Sequence, residues 1–418
     1  MKRYSEYKDS GVKWIGEIPG HWKIMRLRAY LSMYSEKNHP DKQLLSVTRE
    51  SGVIVRNTES KEENHNYIPD DLSGYKLVRI GDFAINKMKS WQGSYGVSNF
   101  EGIVSPAYYV CKLKFPYKDF FSNAIRCKAY IPFFTQYSKG IRVDQWDLSP
   151  IALKNIPFFE PPLPEQQAIV TYLDTKVAKI DEYISIAEKK ISALEELKQT
   201  IIAEAVTRGI HKDVPMKDSG VKWIGMIPEH WKVHKIRSHF KERRVKVSDK
   251  DFQALSVAKI GIVPQLEDAC KTDNGDNRKQ VLKGDFVVNS RSDRKGSCGI
   301  SPLDGSVSLI NIVLRPFNIL QEYVHYLFRS HNYIEEFYRN GRGIVADLWT
   351  TRYSEMRNIQ IPVPPLSEQQ EIVTYIEAKV ANINQLCQAE RSQIEKLKEY
   401  KQRLISDVVT GKVKVTND

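Results

Sequence analysis

The chain has 418 residues, room for two cores of ordinary size, and carries 63 Lys plus Arg against 51 Asp plus Glu, a net +12 that favours a polyanionic partner. It opens MKRYSEYKDS with no apolar stretch behind it, so nothing marks it for secretion; no run approaches the roughly 18 apolar residues of a membrane span, and a cytoplasmic protein is expected. The five cysteines (Cys111, Cys127, Cys270, Cys298 and Cys387) are odd in number and form no CxxC pair, which argues against a disulfide framework and a zinc cluster.

In chain order, the first landmark is an entry segment, residues 9–22 (DSGVKWIGEIPGHW). It returns at 218–231 as DSGVKWIGMIPEHW, so the chain is written twice. A variable stretch rich in Gly, Pro, aromatics and short β-branched runs follows each copy. Residues 44–47 (LLSV) answer 254–257 (ALSV), and 78–86 (VRIGDFAIN) answers 282–289 (LKGDFVVN), where a Gly-Asp turn leads into an apolar strand. Trp146 and Trp349 close the corresponding segments KGIRVDQW and GRGIVADLW. These stretches predict mixed α/β globules with strand-based cores.

The period then changes. Pro161 and Pro162 stop the preceding structure and, with Pro164, pre-set the first turn of a helix. Leu173, Val177, Ile180, Ile184, Ala187, Ile191, Leu194, Lys198, Ile201 and Ala205 recur at steps of 4 and 3, a heptad seam broken by Lys198 and ended by Gly209. The phrase PPLPEQQAIVTYLD from Pro161 returns as PPLSEQQEIVTYIE from Pro364. The second seam is Ile376, Val380, Ile383, Cys387, Glu390, Ile394, Leu397, Lys401, Leu404 and Val408, followed by Gly411. Two helices of roughly 40 residues, about 60 Å each, are predicted. A single apolar stripe of that length needs a partner, and antiparallel pairing of the two helices is the expected solution. The fold expected is therefore mixed α+β: two repeated globules joined by two long helices in an antiparallel coiled coil with approximate two-fold symmetry. The corresponding boundaries are 1–160 for the first globule, 161–209 for its helix, 210–363 and 364–411 for the second pair, and 412–418 for a tail.

No catalytic signature is present: no phosphate loop ending in GK[ST], no HExxH and no GxSxG. His21 and His230 are repeated beside Trp22 and Trp231 and read as structural polar contacts. Asp82 and Asp285 read as turn residues, since no repeated base accompanies them. The chain is expected to be non-catalytic.

Residues 86–96 (NKMKSWQGSYG) combine cations, amides and aromatics in a Gly-punctuated loop, and residues 289–297 (NSRSDRKGS) occupy the matching position. Lys and Arg engage phosphates, while Arg, Asn and Gln pair with base edges. The candidate DNA contacts are Lys87, Lys89, Trp91, Gln92, Ser94 and Tyr95 in the first copy and Ser290, Arg291, Arg294 and Lys295 in the second. A second set flanks the Trp segments: Lys139, Arg142 and Gln145, then Arg339, Arg342 and Arg352.

The doubled phrase GxxWIGxIPxHW, the loop NKMKSWQGSYGVS from Asn86, and PPLxEQQxI leading into each long helix resemble the specificity subunits of type I restriction–modification systems over essentially the whole chain. The resemblance implies two target recognition domains, each reading one half of a split, asymmetric site in double-stranded DNA. It implies that the chain docks two methylation subunits, and through them the restriction and translocase subunits, with S-adenosylmethionine bound by the partner. The second loop departs from the pattern in lacking WQGS. Rival readings are a coiled-coil scaffold that binds only protein, a nuclease or methyltransferase in its own right, and a related system whose partner is a fused methylase–nuclease.

Overall fold

The computed structural model describes residues 2–58, 68–140, 146–211, 213–265, 275–343 and 349–415. Arg142, Gln145 and Cys270 lie outside them. The chain divides into two units, 1–186 with 392–418, and 187–391. Each cut falls within a long helix (Leu163–Arg208 or Leu366–Val409), so each unit holds the N-terminal part of one helix and the C-terminal part of the other.

The first unit is built on an antiparallel four-stranded sheet ordered Leu31–Tyr34, Tyr108–Leu113, Asp82–Asn86, Tyr95–Val97. The strand Asp82–Asn86 is buried along its whole length. Its side chains alternate between faces with period 2. Phe83 and Ile85 join an aromatic core with Phe121, Phe134 and Phe158, whereas Ala84 joins a second cluster with Val47, Val53 and Val110. Helices Lys118–Arg126 and Ile131–Tyr137 supply the aromatic side. A hairpin, Leu45–Thr48 with Gly52–Val55, covers the other.

The second unit repeats this design. Its sheet runs Phe240–Glu242, Asn311–Pro316, Phe286–Asn289, Cys298–Ile300. Phe286 and Val288 face the aromatic cluster while Val287 faces the smaller one. Helices Gln321–Arg329 and His331–Arg339 and the hairpin Leu255–Ala258 with Gly261–Pro264 take the equivalent places. The duplication read from the sequence is thus a duplication of fold.

The long helices pair antiparallel within each unit. In the second, Lys190 meets Glu390, Glu195 meets Arg391 at 3.8 Å, and Lys198 donates to Asn384 at 3.4 Å. A Cβ added at Gly209, which closes the first helix with φ +78°, would lie 3.2 Å from the Trp231 ring and 3.4 Å from the Glu368 carboxylate, at the start of the other helix. In the first unit Gly411, at φ +76°, abuts Trp22 in the same way, and the Trp22 indole donates to Glu165 at 3.2 Å. The predicted seam residues Leu173, Ile180, Ile376, Ile383, Ile394 and Leu404 are buried, and Val177, Ile184, Ile191, Leu194, Ile201, Val380 and Leu397 are half-buried. No helix among the described residues is long and apolar enough to cross a membrane.

The two repeated histidines join this frame. His21 Nε2 lies 2.8 Å from Glu165, and His230 Nε2 lies 2.8 Å from Glu368, each in the EQQ turn of its helix. Asp82 takes the Arg79 N–H and the Tyr34 hydroxyl, and Asp285 takes the Leu282 N–H and both arms of Arg243 at 2.6 and 3.1 Å. Both pairs hold the fold together, as read from the sequence.

Candidate nucleic-acid interface

In the first unit the loop after the central strand is a single 3-10 turn, Ser90–Gln92, closed by Gly93 at φ +100°. Two neighbours fix it. Thr135 of the helix Ile131–Tyr137 donates to the Trp91 carbonyl at 3.1 Å, and the Leu148 N–H donates to the Lys87 carbonyl at 3.2 Å. Trp91 and Trp146 meet edge to face with centroids 5.5 Å apart. Lys139 lies on a two-residue strand in register with Asp147, and Asp147 in turn holds the Lys87 ammonium at 2.9 Å. That carboxylate keeps Lys87 above its ordinary pKa. The two candidate sets, apart in sequence, thus share one surface carrying Lys87, Lys89, Trp91, Gln92 and Lys139. Lys89 and Lys139 are exposed; Lys87, Trp91 and Gln92 are half-buried.

The second unit builds the same frame from other side chains. The Thr351 N–H donates to the Ser290 carbonyl at 2.9 Å, the equivalent of the Leu148–Lys87 bond at the same offset of 203 positions. Ser292 N–H donates to the Trp349 carbonyl at 2.9 Å, and Thr350 bridges to both Arg291 and Arg342. Arg291, Arg294, Lys295, Arg339, Arg342 and Arg352 are all exposed. Carboxylates shadow several of them: Asp293 lies 3.4 Å from Arg291 and 3.7 Å from Arg294, Glu335 lies 3.0 Å from Lys295, and Glu336 lies 2.9 Å from Arg339. A polyanion binding here has to displace these partners. Arg352 precedes the helical turn Tyr353–Met356, where its N–H is capped by Glu355 at 3.1 Å.

Three candidates are corrected. Tyr95 is 0 % exposed and stacks on Phe134 with centroids 3.8 Å apart, so it belongs to the core. Burial pushes its hydroxyl well above its usual pKa. Ser94 is buried where the loop turns back into the sheet, and Ser290 is buried with its hydroxyl on the Ile310 carbonyl at 2.6 Å. None of the three side chains can reach a nucleic acid without opening the loop. Arg142 falls outside the described residues.

Two residues that sequence reasoning missed, Arg126 and Arg329, lie beside the loops. Arg126 donates to the carbonyls of Tyr95, Arg49 at 3.2 Å and Glu50 at 2.7 Å; Arg329 donates to those of Cys298 at 2.7 Å and Lys259 at 2.6 Å. Both arginines tie a hairpin tip to the strand that leaves the loop. The one available signal was an Arg at the same offset of 203 positions in otherwise diverged helices.

Both units are thus α+β folds that present a cationic loop on a shared backbone frame. Residues 230–396 match the family model of the type I restriction modification DNA specificity domain. The chain is 24 % identical over 447 residues to the type I restriction enzyme MjaVIII specificity subunit of Methanocaldococcus jannaschii, with 98 % of each chain covered. A chain from a solved structure of the type I R-M system superposes with TM-score 0.63 at 16 % identity, covering 95 % of this chain and 99 % of that one. The HsdS subunit from Thermoanaerobacter tengcongensis superposes with TM-score 0.50 at 16 % identity, covering 97 % and 100 %. The chain is thus similar along nearly its whole length to type I restriction–modification specificity subunits, and residues 230–396 match their DNA specificity domain.

Proposed function

We propose that this chain is the DNA-reading subunit of a type I restriction–modification complex. Each unit reads one half of a bipartite, asymmetric duplex site. The reading regions are 1–160 and 210–363; the helical segments 161–209 and 364–411 form the frame, and 412–418 is a tail. Two methylation subunits dock on the chain and carry S-adenosylmethionine, and restriction subunits join through them. The chain contributes recognition, and adenine methylation is done by its partners.

One observation carries this reading. The bonds Leu148 N–H to Lys87 carbonyl and Thr351 N–H to Ser290 carbonyl hold the same frame in both units, while Lys87-Met88-Lys89-Ser90-Trp91-Gln92 stands in one and Ser290-Arg291-Ser292-Asp293-Arg294-Lys295 in the other. A constant frame with unlike side chains fits two readers of unlike sequences. Because +12 is spread over 418 residues and much of the second surface is paired with carboxylates, the chain alone binds duplex DNA weakly. Tight, specific binding requires assembly with the methylation subunit. The test is salt-dependent competition binding with the chain alone and with the reconstituted complex. Full methylation by the purified chain plus S-adenosylmethionine would refute the proposal.

A further inference from the structure

Beside each reading loop stands a hairpin tip that nothing in the repeated frame requires to be ordered so firmly. The tips comprise residues 49–51 between Thr48 and Gly52, and residues 259–260 between Ala258 and Gly261. Two strands alone are marginally stable, and ordering an exposed turn costs conformational entropy. Both tips are nevertheless clamped. Arg126 spends its planar fork on the carbonyls of Arg49, Glu50 and Tyr95, and Arg329 on those of Lys259 and Cys298. Below each clamp the backbones touch. A Cβ on Gly96 would lie 3.3 Å from the Gly52 Cα, and one on Gly299 would lie 3.5 Å from the Gly261 Cα. The arginine and the two touching glycines of the anchor are therefore matched in the two units, although Arg126 holds two tip carbonyls and Arg329 one.

The tips are not the same. One is three residues long and presents Arg49 and Glu50, which face each other loosely at 3.9 Å; the other is two residues long and presents Lys259 and Ile260. Ile260 is 74 % exposed, an apolar side chain held out into water. In the first unit Arg49, Glu50 and Arg126 line one groove together with Gln92 and Gly93 of the reading loop and Lys128. Arg126 also ends on Tyr95, and Arg329 on Cys298, the residues with which each chain leaves its loop. The clamp consequently fixes the tip and the loop to each other. This is the design of the loops again: a matched anchor with diverged tips.

We propose that the tips 49–51 and 259–260 are a second DNA-contacting element in each unit and share in setting its half-site, with Arg126 and Arg329 as positioning residues. This rests on the DNA-reading function proposed above. Arg49 and Lys259 suit phosphate or guanine, Glu50 accepts from the cytosine amino group, and Ile260 suits the thymine methyl.

The experiment uses the complex assembled with its methylation subunits and a duplex library randomised over both half-sites. The parent must first select a defined site; if it selects none, the functional reading itself fails, and that failure is seen without any substitution. Given a parent site, Arg49→Ala with Glu50→Ala should shift base preference fivefold or more at one or more positions of the half-site that also responds to Lys89→Ala. Lys259→Ala with Ile260→Ser should do so in the half-site that responds to Arg294→Ala. Neither should alter the other half-site or the melting temperature, since all four side chains are exposed. Arg126→Lys, which keeps the charge without the fork, should broaden only the first half-site. Unchanged preference in the tip variants overturns the inference. So does a uniform loss of affinity with unchanged preference, which reduces the tips to phosphate contacts.

Discussion

Asp181 on the first long helix receives Lys401 of the second on both carboxylate oxygens, each at 2.7 Å. Lys401 is a charged break in the second heptad seam, at the position matching Lys198 in the first, so the ion pair marks where the helices set their register within the first unit. Both side chains are partly exposed, and such a pair contributes only about 0.5 kcal/mol. A Leu at the same half-buried seam position recovers roughly 1.5 kcal/mol through burial. Lys401→Leu should therefore raise the melting temperature slightly, as read by differential scanning calorimetry. A fall would show that the pair contributes more than register.

Glu165 and Glu368 occupy equivalent turns but carry unequal loads. Glu165 accepts from the Tyr4 hydroxyl, His21 and the Trp22 indole, whereas Glu368 accepts from His230 and the Trp231 indole nitrogen has no partner among the described residues. Removing a shared acceptor strands its buried donors, at about 1–3 kcal/mol for each. Glu165→Ala should thus lower thermal stability more than Glu368→Ala. Equal losses would mean that Tyr4 and Trp22 readily find other partners.

The two reading surfaces should be separable. Lys87→Ala, Lys89→Ala and Gln92→Ala together impair one half-site, and Arg291→Ala, Arg294→Ala and Lys295→Ala the other. A lost base contact relaxes one position by roughly 1–3 kcal/mol, while a lost phosphate contact weakens all sequences and lowers the salt slope by about one. Lys87→Ala alone should have a smaller effect than Lys89→Ala, because Asp147 already engages Lys87 at 2.9 Å. Competition with duplexes altered in a single half-site measures this. Equal responses of both half-sites to both triple variants would refute the assignment.

If the paired helices space the half-sites, inserting seven residues after Ile191 and seven after Ile394 keeps the seam in phase and lengthens each helix by about 10 Å. At 3.4 Å per base pair the preferred spacer should grow by about three, with some loss of affinity because the facing around the duplex also changes. Four-residue insertions put the apolar stripe out of phase and should be worse. Selection from a library of spacer lengths reads the result, and an unchanged preference in a folded heptad variant would release the helices from this role.

What the sequence made legible followed from periodicity and repetition. The seam from Leu173 to Leu404 could be read because a 4-and-3 spacing of apolar residues has one physical meaning over such a length. The loops at Lys87 and Ser290 could be aligned because GDF strands precede both. Tyr95 misled, since an aromatic in a Gly-rich phrase reads as a surface residue; in fact the strand Tyr95–Val97 begins there and turns the ring onto Phe134. Arg126 and Arg329 were silent for a different reason. Their targets are backbone carbonyls up to 77 residues away, and a carbonyl leaves no mark on the sequence. The union of Lys87, Asp147 and Lys139 likewise arises from a short strand pairing between segments that sequence alone keeps apart.

The central claim is that this chain alone chooses the DNA sequence its complex modifies. Mapping methylated adenines across the genome, with the gene intact, deleted, and replaced by the Arg291, Arg294 and Lys295 triple variant, tests it most directly. The account predicts one split, asymmetric motif that is methylated with the intact gene and vanishes on deletion, and that is retained by the variant in one half while the other is relaxed or lost. A methylation pattern indifferent to the deletion would contradict it.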